Sequence, residues 1–291
     1  MNPGPEVASY RWNPAAALRV SGEDSASFLQ GQFTNDLHKQ GMEDAVYGLW
    51  LNQKGKVLAD SFILRIAAQE FWVVSYFSTA AVIRERLEAY IIADDVVIED
   101  LTARMTGLTV LGRVNGAEWT PEGGRSFSGR RTREPHREII FPVDAEAAVN
   151  GRLADTTLLL SAEMERRRIM AAIPAVPADI GPADLPNEGG LETEAISYTK
   201  GCYLGQEVMA RLKSMGKVRR QLVRVRGEGK PPPLPAPVFQ AGRKVGEVRS
   251  VAPDGAGWIG LALVSLLQIL RTEGLSPTAE GTPTIAFFEP A

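Results

Sequence analysis

The run KGCYLGQE, residues 200–207, gathers an ammonium, a thiol, an amide and a carboxylate within eight positions. Cys202 is the only cysteine of the 291 residues, so no intrachain disulfide can form, and nothing in the cysteine count calls for an oxidising compartment. The pattern predicts two short helices, 191–200 and 203–212, separated by Gly201 and Cys202. Lys200 then closes one helix and Cys202 precedes the next. A thiol beside a helix N-terminus and a lysine has a lowered pKa and more thiolate, the chemistry of a nucleophile or a transient ligand. The alternative for a lone cysteine is a packed small side chain.

Charge concentrates in the same region. Between 200 and 226 stand Lys200, Arg211, Lys213, Lys217, Arg219, Arg220, Arg224 and Arg226, with Glu207 as the one acid, a local net of +7 on a chain of net −3. Such a patch can hold an anionic ligand tail or RNA phosphates, or it can be a solvated strand face met by carboxylates from elsewhere. Tyr203 is the only aromatic residue in that stretch, so it lacks the interleaved rings that stack nucleic-acid bases.

Two acids sit in unusual settings. Asp60 interrupts the strand-like KVLADSFIL, and Glu188 lies in LPNEGGL. A carboxylate accepts paired hydrogen bonds from a heterocycle with adjacent N–H donors, as a pterin has. An outward strand residue and a loop surface residue are the plainer readings. A closed zinc site is excluded: the chain has two histidines, His38 and His136, and one thiol. An iron–sulfur cluster held by one chain needs several thiolates, so a role in metal chemistry would be assisted, transient or intermolecular.

The elements that must position these residues mix two periods. Asp24 is expected to cap a helix carrying Phe28, Leu29, Phe33 and Leu37. Strands are predicted at 45–51, 57–66 and 71–77. A helix from about Ser78 places Ile83, Leu87, Tyr90 and Ile91 on one stripe. Strands follow at 96–98 and 108–111. Residues 113–137, rich in Gly and Arg, read as an exposed excursion. A helix is expected over 161–172, and 174–190 reads as an extended connection. Strand patterns at 221–226, 244–251 and 258–264, separated by Gly and Pro turns, suit a small β-barrel, with the PPPLPAP run at 231–237 as a stiffened loop. The class is α+β. The boundary falls near 215, with residues 1–215 forming two interleaved α+β subdomains and 216–291 the barrel. The N-terminus MNPGPEVASYRW has no basic flank before an apolar run, and the apolar stretch 258–270 is too short to span a bilayer. A cytoplasmic protein with no membrane association is expected.

KGCYLGQE matches the signature K-G-C-Y/F-x-G-Q-E of the YgfZ family at every specified position. SGEDSASFLQGQFTNDL (21–37) resembles that family's opening helix with its T-N-D element, LNQKGKVLADSFILR (51–65) its hairpin, LPNEGGLETEAISYTKGCYLGQEVMARL (185–212) the approach to the signature, and VGEVRSVA (245–252) a barrel strand pair. The resemblance spans nearly the whole chain and is weakest at 113–160. It implies the fold of the glycine-cleavage T-protein (an aminomethyltransferase): two α+β units and a C-terminal β-barrel around a folate site. Within it Glu188 matches the pterin-facing glutamate. Asp60 falls at the acidic hairpin position, where the T-protein has two adjacent acids and this chain reads Ala59-Asp60. The expected sites are Cys202 as the catalytic thiol and Asp60, Glu188, Lys200, Gln206, Arg211 and Arg220 as the cofactor-binding set, with the basic residues on a polyglutamate tail. The cofactor would be tetrahydrofolate or a one-carbon derivative.

Three readings follow. The first is a tetrahydrofolate-binding accessory protein for iron–sulfur cluster assembly or repair and, indirectly, tRNA modification, with iron–sulfur enzymes or assembly proteins as partners. The second is a folate-dependent aminomethyltransferase or demethylase using Asp60 as acid/base. The third is an RNA-binding module with tRNA on the basic patch.

Overall fold

The computed structural model describes residues 7–39, 45–216 and 218–289. In chain order the elements are β1 (Ala8–Trp12), β2 (Ala16–Ser21), α1 (Ser25–Gln32), β3 (Ala45–Leu51), β4 (Val57–Ala67), β5 (Glu70–Ser75), α2 (Ala80–Glu88), β6 (Val97–Asp100), β7 (Met105–Leu111), α3 (Gly116–Trp119), β8 (Arg125–Phe127), β9 (His136–Pro142), α4 (Glu146–Leu153), β10 (Thr157–Leu158), α5 (Ser161–Met170), α6 (Glu192–Ala195), α7 (Gln206–Met215), β11 (Arg220–Glu228), β12 (Ala236–Gln240), β13 (Arg243–Asp254), β14 (Gly257–Ser265) and β15 (Ile285–Phe287). They form three five-stranded sheets: β3-β4-β5-β2-β6, β10-β1-β7-β9-β8 and β12-β13-β14-β11-β15. Every neighbouring pair is antiparallel except β1 with β10. The fold is α+β, with a curled antiparallel sheet at the C-terminal end.

Strand alternation decides what each face of the first sheet buries. On β4, Ala59 and Ile63 join Phe28, Leu29 and Phe33 of the α1 region and Ile83 and Leu87 of α2 in one core. Phe62 and Leu64 point the other way, toward Trp12, Phe127 and Ile140 of the second sheet and Val176, Leu191, Tyr203 and Met209 of the later chain. Asp60 shares the parity of Phe62 and Leu64, so it faces this second, inter-sheet core.

Several expectations need correction. Residues 113–137 are not a wholly exposed excursion: they contain α3 and β8, and Phe127, Arg131 and Thr132 are buried. Their apolar content is low because arginine planes on aromatic rings replace aliphatic packing. The helix expected over 191–200 is only α6, four residues long, and the next helix starts at Gln206 rather than Tyr203. Asp24 does stand at the N-cap of α1 but makes no side-chain cap bond there; its carboxylate instead accepts from the Asp95 N–H at 2.8 Å.

The connection at 174–190 is fastened at both ends. Asp179, fully buried, accepts from Arg168 of α5 at 2.6 Å and from Ser250 of β13 at 2.6 Å. Asp184 accepts from Arg220 of β11 at 2.9 Å and pairs with Arg249 of β13. Two carboxylate–arginine clusters therefore clamp this connection between α5 and the third sheet. Burial of such ions is tolerable only because each is paired and hydrogen-bonded.

Candidate functional site

The inter-sheet face that carries Asp60 opens into a cavity of about 200 Å³, walled by Tyr10, Tyr47, Tyr76 and Phe77, by Asp60 and Glu165, and by Arg130, Arg131 and Arg168. Its size suits a flat ring rather than a whole drug-sized ligand. Asp60 is buried and fixed from three sides. The Ser75 and Ser78 hydroxyls lie 2.9 and 2.8 Å from Oδ1, and the Tyr47 hydroxyl donates to Oδ2 at 3.0 Å. Burial raises the Asp60 pKa, opposed by the bonds from Ser78, Ser75 and Tyr47. Burial also raises the Tyr47 pKa, so this phenol stays a donor. A carboxylate has about four acceptor positions, and three are taken here. Asp60 thus has room for one further donor, on Oδ2. The paired reception of a heterocycle expected of it does not fit; a single N–H does.

Guanidinium planes line the aromatic walls. Arg131 lies 3.8 Å from the Tyr76 ring centroid, 4.6 Å from Trp12 and 5.4 Å from Tyr10. Arg130 lies 4.1 Å over Tyr47 and is held by Glu194 at 2.7 Å. The enclosure therefore offers π faces, fixed cations and one oriented carboxylate. Ala59, where the T-protein pattern has a second acid, packs on the opposite face of β4 and does not reach this cavity.

The other predicted residues are not gathered around Asp60. Glu188 is buried outside the cavity lining: Arg220 donates to its Oε1 and Oε2, each at 2.9 Å, and the Leu185 N–H to Oε2 at 2.8 Å. Arg220 is thereby committed to Glu188 and Asp184. Arg211 is exposed and pairs along its own helix with Glu207 at 3.3 Å. Arg224 pairs with Glu289, and Arg226 stacks on Phe288 at 4.5 Å. Lys217 lies outside the described residues. Carboxylates from other parts of the fold thus meet Arg220 and Arg224 of the basic run.

Lys200 is buried, whereas the Cys202 thiol is exposed. Its ammonium donates to the carbonyls of Gln30, Phe33 and Asn35 at 2.5, 2.6 and 3.0 Å, and burial lowers its pKa to about 8. It closes the end of α1, where orphan carbonyls need donors. Thr34 and Asn35 complete the same joint. The Thr34 hydroxyl donates to Ala195 O at 2.7 Å, and the Asn35 amide donates to Tyr47 O at 2.8 Å and Glu194 O at 2.9 Å. Cys202 is exposed, four residues before α7, not at its N-terminus. Gln206 is the first residue of α7 and half-buried.

Two glycines fit this segment to the hairpin that carries Asp60. Gly205 has φ +87°, and a Cβ there would lie 3.0 Å from Asn52 O. Gly55, at the β3–β4 turn with φ +70°, would meet Val208 and Met209 at 2.9 Å. Backbone closeness and left-handed geometry both require glycine at these positions. The thiol loop and the Asp60 strand are thereby rigidly related.

The wall residues missed from sequence include Tyr10, Tyr47, Tyr76, Phe77, Arg130, Arg131, Glu165 and Arg168. Only Tyr47 had a usable signal: the hairpin between 45–51 and 57–66 pairs Leu49 with Asp60, which puts Tyr47 on Asp60's face.

Comparison with known proteins bears on the fold and on the chain's relatives. Residues 7–114 match the GCVT N-terminal domain, and residues 219–286 match the CAF17 C-terminal beta-barrel domain. The iron-sulfur cluster assembly factor IBA57, mitochondrial, of Mus musculus is 29% identical over 293 residues, covering 90% of this chain and 79% of that protein. The tRNA-modifying protein YgfZ of Vibrio vulnificus (strain YJ016) is 25% identical over 251 residues, covering 84% and 77%. The glycine cleavage system aminomethyltransferase T from Bartonella henselae superposes with a TM-score of 0.79 at 17% identity, covering 98% of this chain and 85% of that one, which shows a shared fold. The chain is a homologue of the IBA57 and YgfZ proteins, with a GCVT N-terminal domain ahead of a CAF17 C-terminal β-barrel domain.

Proposed function

We propose that this protein is a tetrahydrofolate-binding accessory factor that supports iron–sulfur cluster assembly or repair and, through the enzymes so maintained, tRNA modification. The observation that carries the reading is the aromatic cavity with Asp60 held at its wall by Tyr47, Ser75 and Ser78. A reduced pterin carries a flat pyrimidine ring with N–H donors, which suits the π faces and the one remaining acceptor position of Asp60. The rest of the folate would lie outside the enclosure, past the partly exposed Phe77. The IBA57 and YgfZ relatives support the iron–sulfur and tRNA parts of the reading. Cys202 supplies an accessible thiol on a fixed loop, suited to a transient contact with a cluster or with a partner protein. No helix among the described residues is long and apolar enough to cross a membrane, and the expected location is the cytoplasm.

A second reading is favoured by one feature. Asp60 has a raised pKa and a rigid setting, which suits an acid/base or charge-stabilising group in one-carbon transfer from folate. A steady-state assay for methylene-tetrahydrofolate formation from an aminomethyl or N-methyl donor separates the two. Activity abolished by Asp60→Asn supports the enzyme. Folate binding without turnover, together with restored iron–sulfur enzyme activity in a deletion strain, supports the accessory role. Absence of folate binding rejects both.

A further inference from the structure

Three arginines line the Asp60 cavity, and they differ in what holds them. The Arg168 guanidinium is committed to Glu165, Asp179, Ser250 and the Ile173 carbonyl. Arg130 donates to Glu194. Arg131 is only 8% exposed, yet its guanidinium makes no hydrogen bond to any described residue. Its Nε is buried and lies 3.4 Å from Glu138 Oε1 without forming a hydrogen bond. Burying such a donor group unpaired is costly.

Charge and stacking keep Arg131 in place. Glu138, fully buried on β9, supplies the counter-charge, and its Oε2 accepts from the Thr109 hydroxyl at 2.9 Å. Gly129 lets that carboxylate close in: a Cβ there would lie 2.3 Å from Glu138 Cγ and 2.7 Å from Oε1. The guanidinium lies 3.8 Å from the Tyr76 ring centroid, which fixes its position at the wall. Its Nε edge thus serves Glu138. The terminal amino groups are neither hydrogen-bonded nor fully buried, so they are the donors left for the contents of the cavity.

The charge balance decides which acceptor suits them. Glu138 already offsets Arg131, so a ligand with a full negative charge would add an uncompensated ion to a buried setting. A neutral carbonyl oxygen accepts the hydrogen bonds without that cost. Asp60, on the same lining, has one acceptor position open on Oδ2. A cavity of about 200 Å³ is filled by one flat ring system, which therefore meets both groups. A cyclic amide, with N–H beside C=O, answers the acceptor and the donor together. An amino group in place of that carbonyl would set donor against donor at Arg131.

We propose that Arg131 is the specificity-determining residue of the cavity, donating to a ring carbonyl while Asp60 accepts from the N–H beside it. The proposal rests on the reading of the cavity as a pterin site and names the ring chemistry that this site selects. The test is calorimetric titration of the full chain with tetrahydrofolate and with tetrahydroaminopterin, which carries an amino group in place of the ring carbonyl. The wild type should prefer tetrahydrofolate about tenfold or more. Arg131→Met should weaken tetrahydrofolate about tenfold or more while leaving tetrahydroaminopterin no weaker, so that the preference collapses. A merely structural role would weaken both ligands alike. Because Arg131→Met strands a buried carboxylate, Arg131→Met/Glu138→Gln is measured beside it and should lose the preference equally. Arg131→Lys keeps a donor and the charge without the planar fork, and should retain part of the preference. Equal affinity of the wild type for the two ligands, or equal loss of both in the variants, would overturn the proposal and leave the folate reading standing. No binding of tetrahydrofolate by the wild type would overturn both.

Discussion

Arg220, the first residue of β11, grips Glu188 through two bonds of 2.9 Å, one to each carboxylate oxygen. The pair joins the 174–190 connection to the third sheet and is not part of the cavity lining. Glu188→Ala should therefore lower stability, by about 1–2 kcal/mol, because it strips a partner from the Leu185 N–H and from a half-exposed guanidinium. The folded variant should keep its affinity for a reduced folate. Urea unfolding combined with a folate titration checks this, and a large loss of affinity at unchanged stability would return Glu188 to the ligand.

Lys200 gives the second prediction. Lys200→Met leaves three carbonyls at the end of α1 without their shared donor, so stability at pH 7 should fall by about 2 kcal/mol. Its pKa of about 8 lies below the ordinary 10.5. Between those values the unfolded chain binds more protons than the folded one, so this group makes stability rise with pH across that window. Denaturation measured from pH 7.5 to 10 should show a positive slope in the wild type that Lys200→Met removes. An unchanged slope would mean that the ammonium is not desolvated.

Cys202 is exposed, so Cys202→Ser should alter stability by no more than about 0.5 kcal/mol. The variant should still bind folate yet fail to restore iron–sulfur enzyme activity in a deletion strain. Full complementation by both Cys202→Ser and Cys202→Ala would remove the thiol from the mechanism.

Asp60 has the opposite sign to a salt-bridged acid. Its folded pKa lies above 3.8, raised by burial. The folded state then holds its proton longer than the unfolded one, so the stability this group contributes at low pH is lost as pH rises through the folded pKa. Asp60→Asn abolishes that titration. The stability difference between Asn and wild type should therefore move in favour of the variant as pH increases from about 4 to neutrality, read by urea midpoints at each pH.

The sequence made the hairpin and the barrel strands legible from their apolar periods; the stripe expected on α1 runs past it, since α1 ends at Gln32 and Phe33 and Leu37 join the same core from beyond the helix. Strand 45–51 is found at its predicted bounds, and β4 extends the predicted strand by one residue. The cavity was much less legible. Asp60 stood out as a charge in an apolar run, but its partners Ser75 and Ser78 come from β5 and the turn after it, and only sheet pairing joins them. Arg130 and Arg131 lay in a stretch read as exposed, because a guanidinium stacked on tyrosine leaves no apolar period. Glu188 and Arg220 are 32 positions apart, and their pairing depends on how the third sheet docks. Within the KGCYLGQE motif the placements of individual residues differ from those expected. Lys200 and Gly205 serve packing, while Cys202 is presented to solvent, as are Gly201 and Glu207.

The central claim is that the Asp60 cavity receives the ring of a reduced folate. Calorimetric titration of tetrahydrofolate into the wild type, Asp60→Asn and Tyr47→Phe tests it most directly. The account predicts saturable binding by the wild type. Asp60→Asn should weaken it about tenfold or more, and Tyr47→Phe by less, since the phenol only orients Asp60. No binding by the wild type, or equal affinity in Asp60→Asn, would contradict the account.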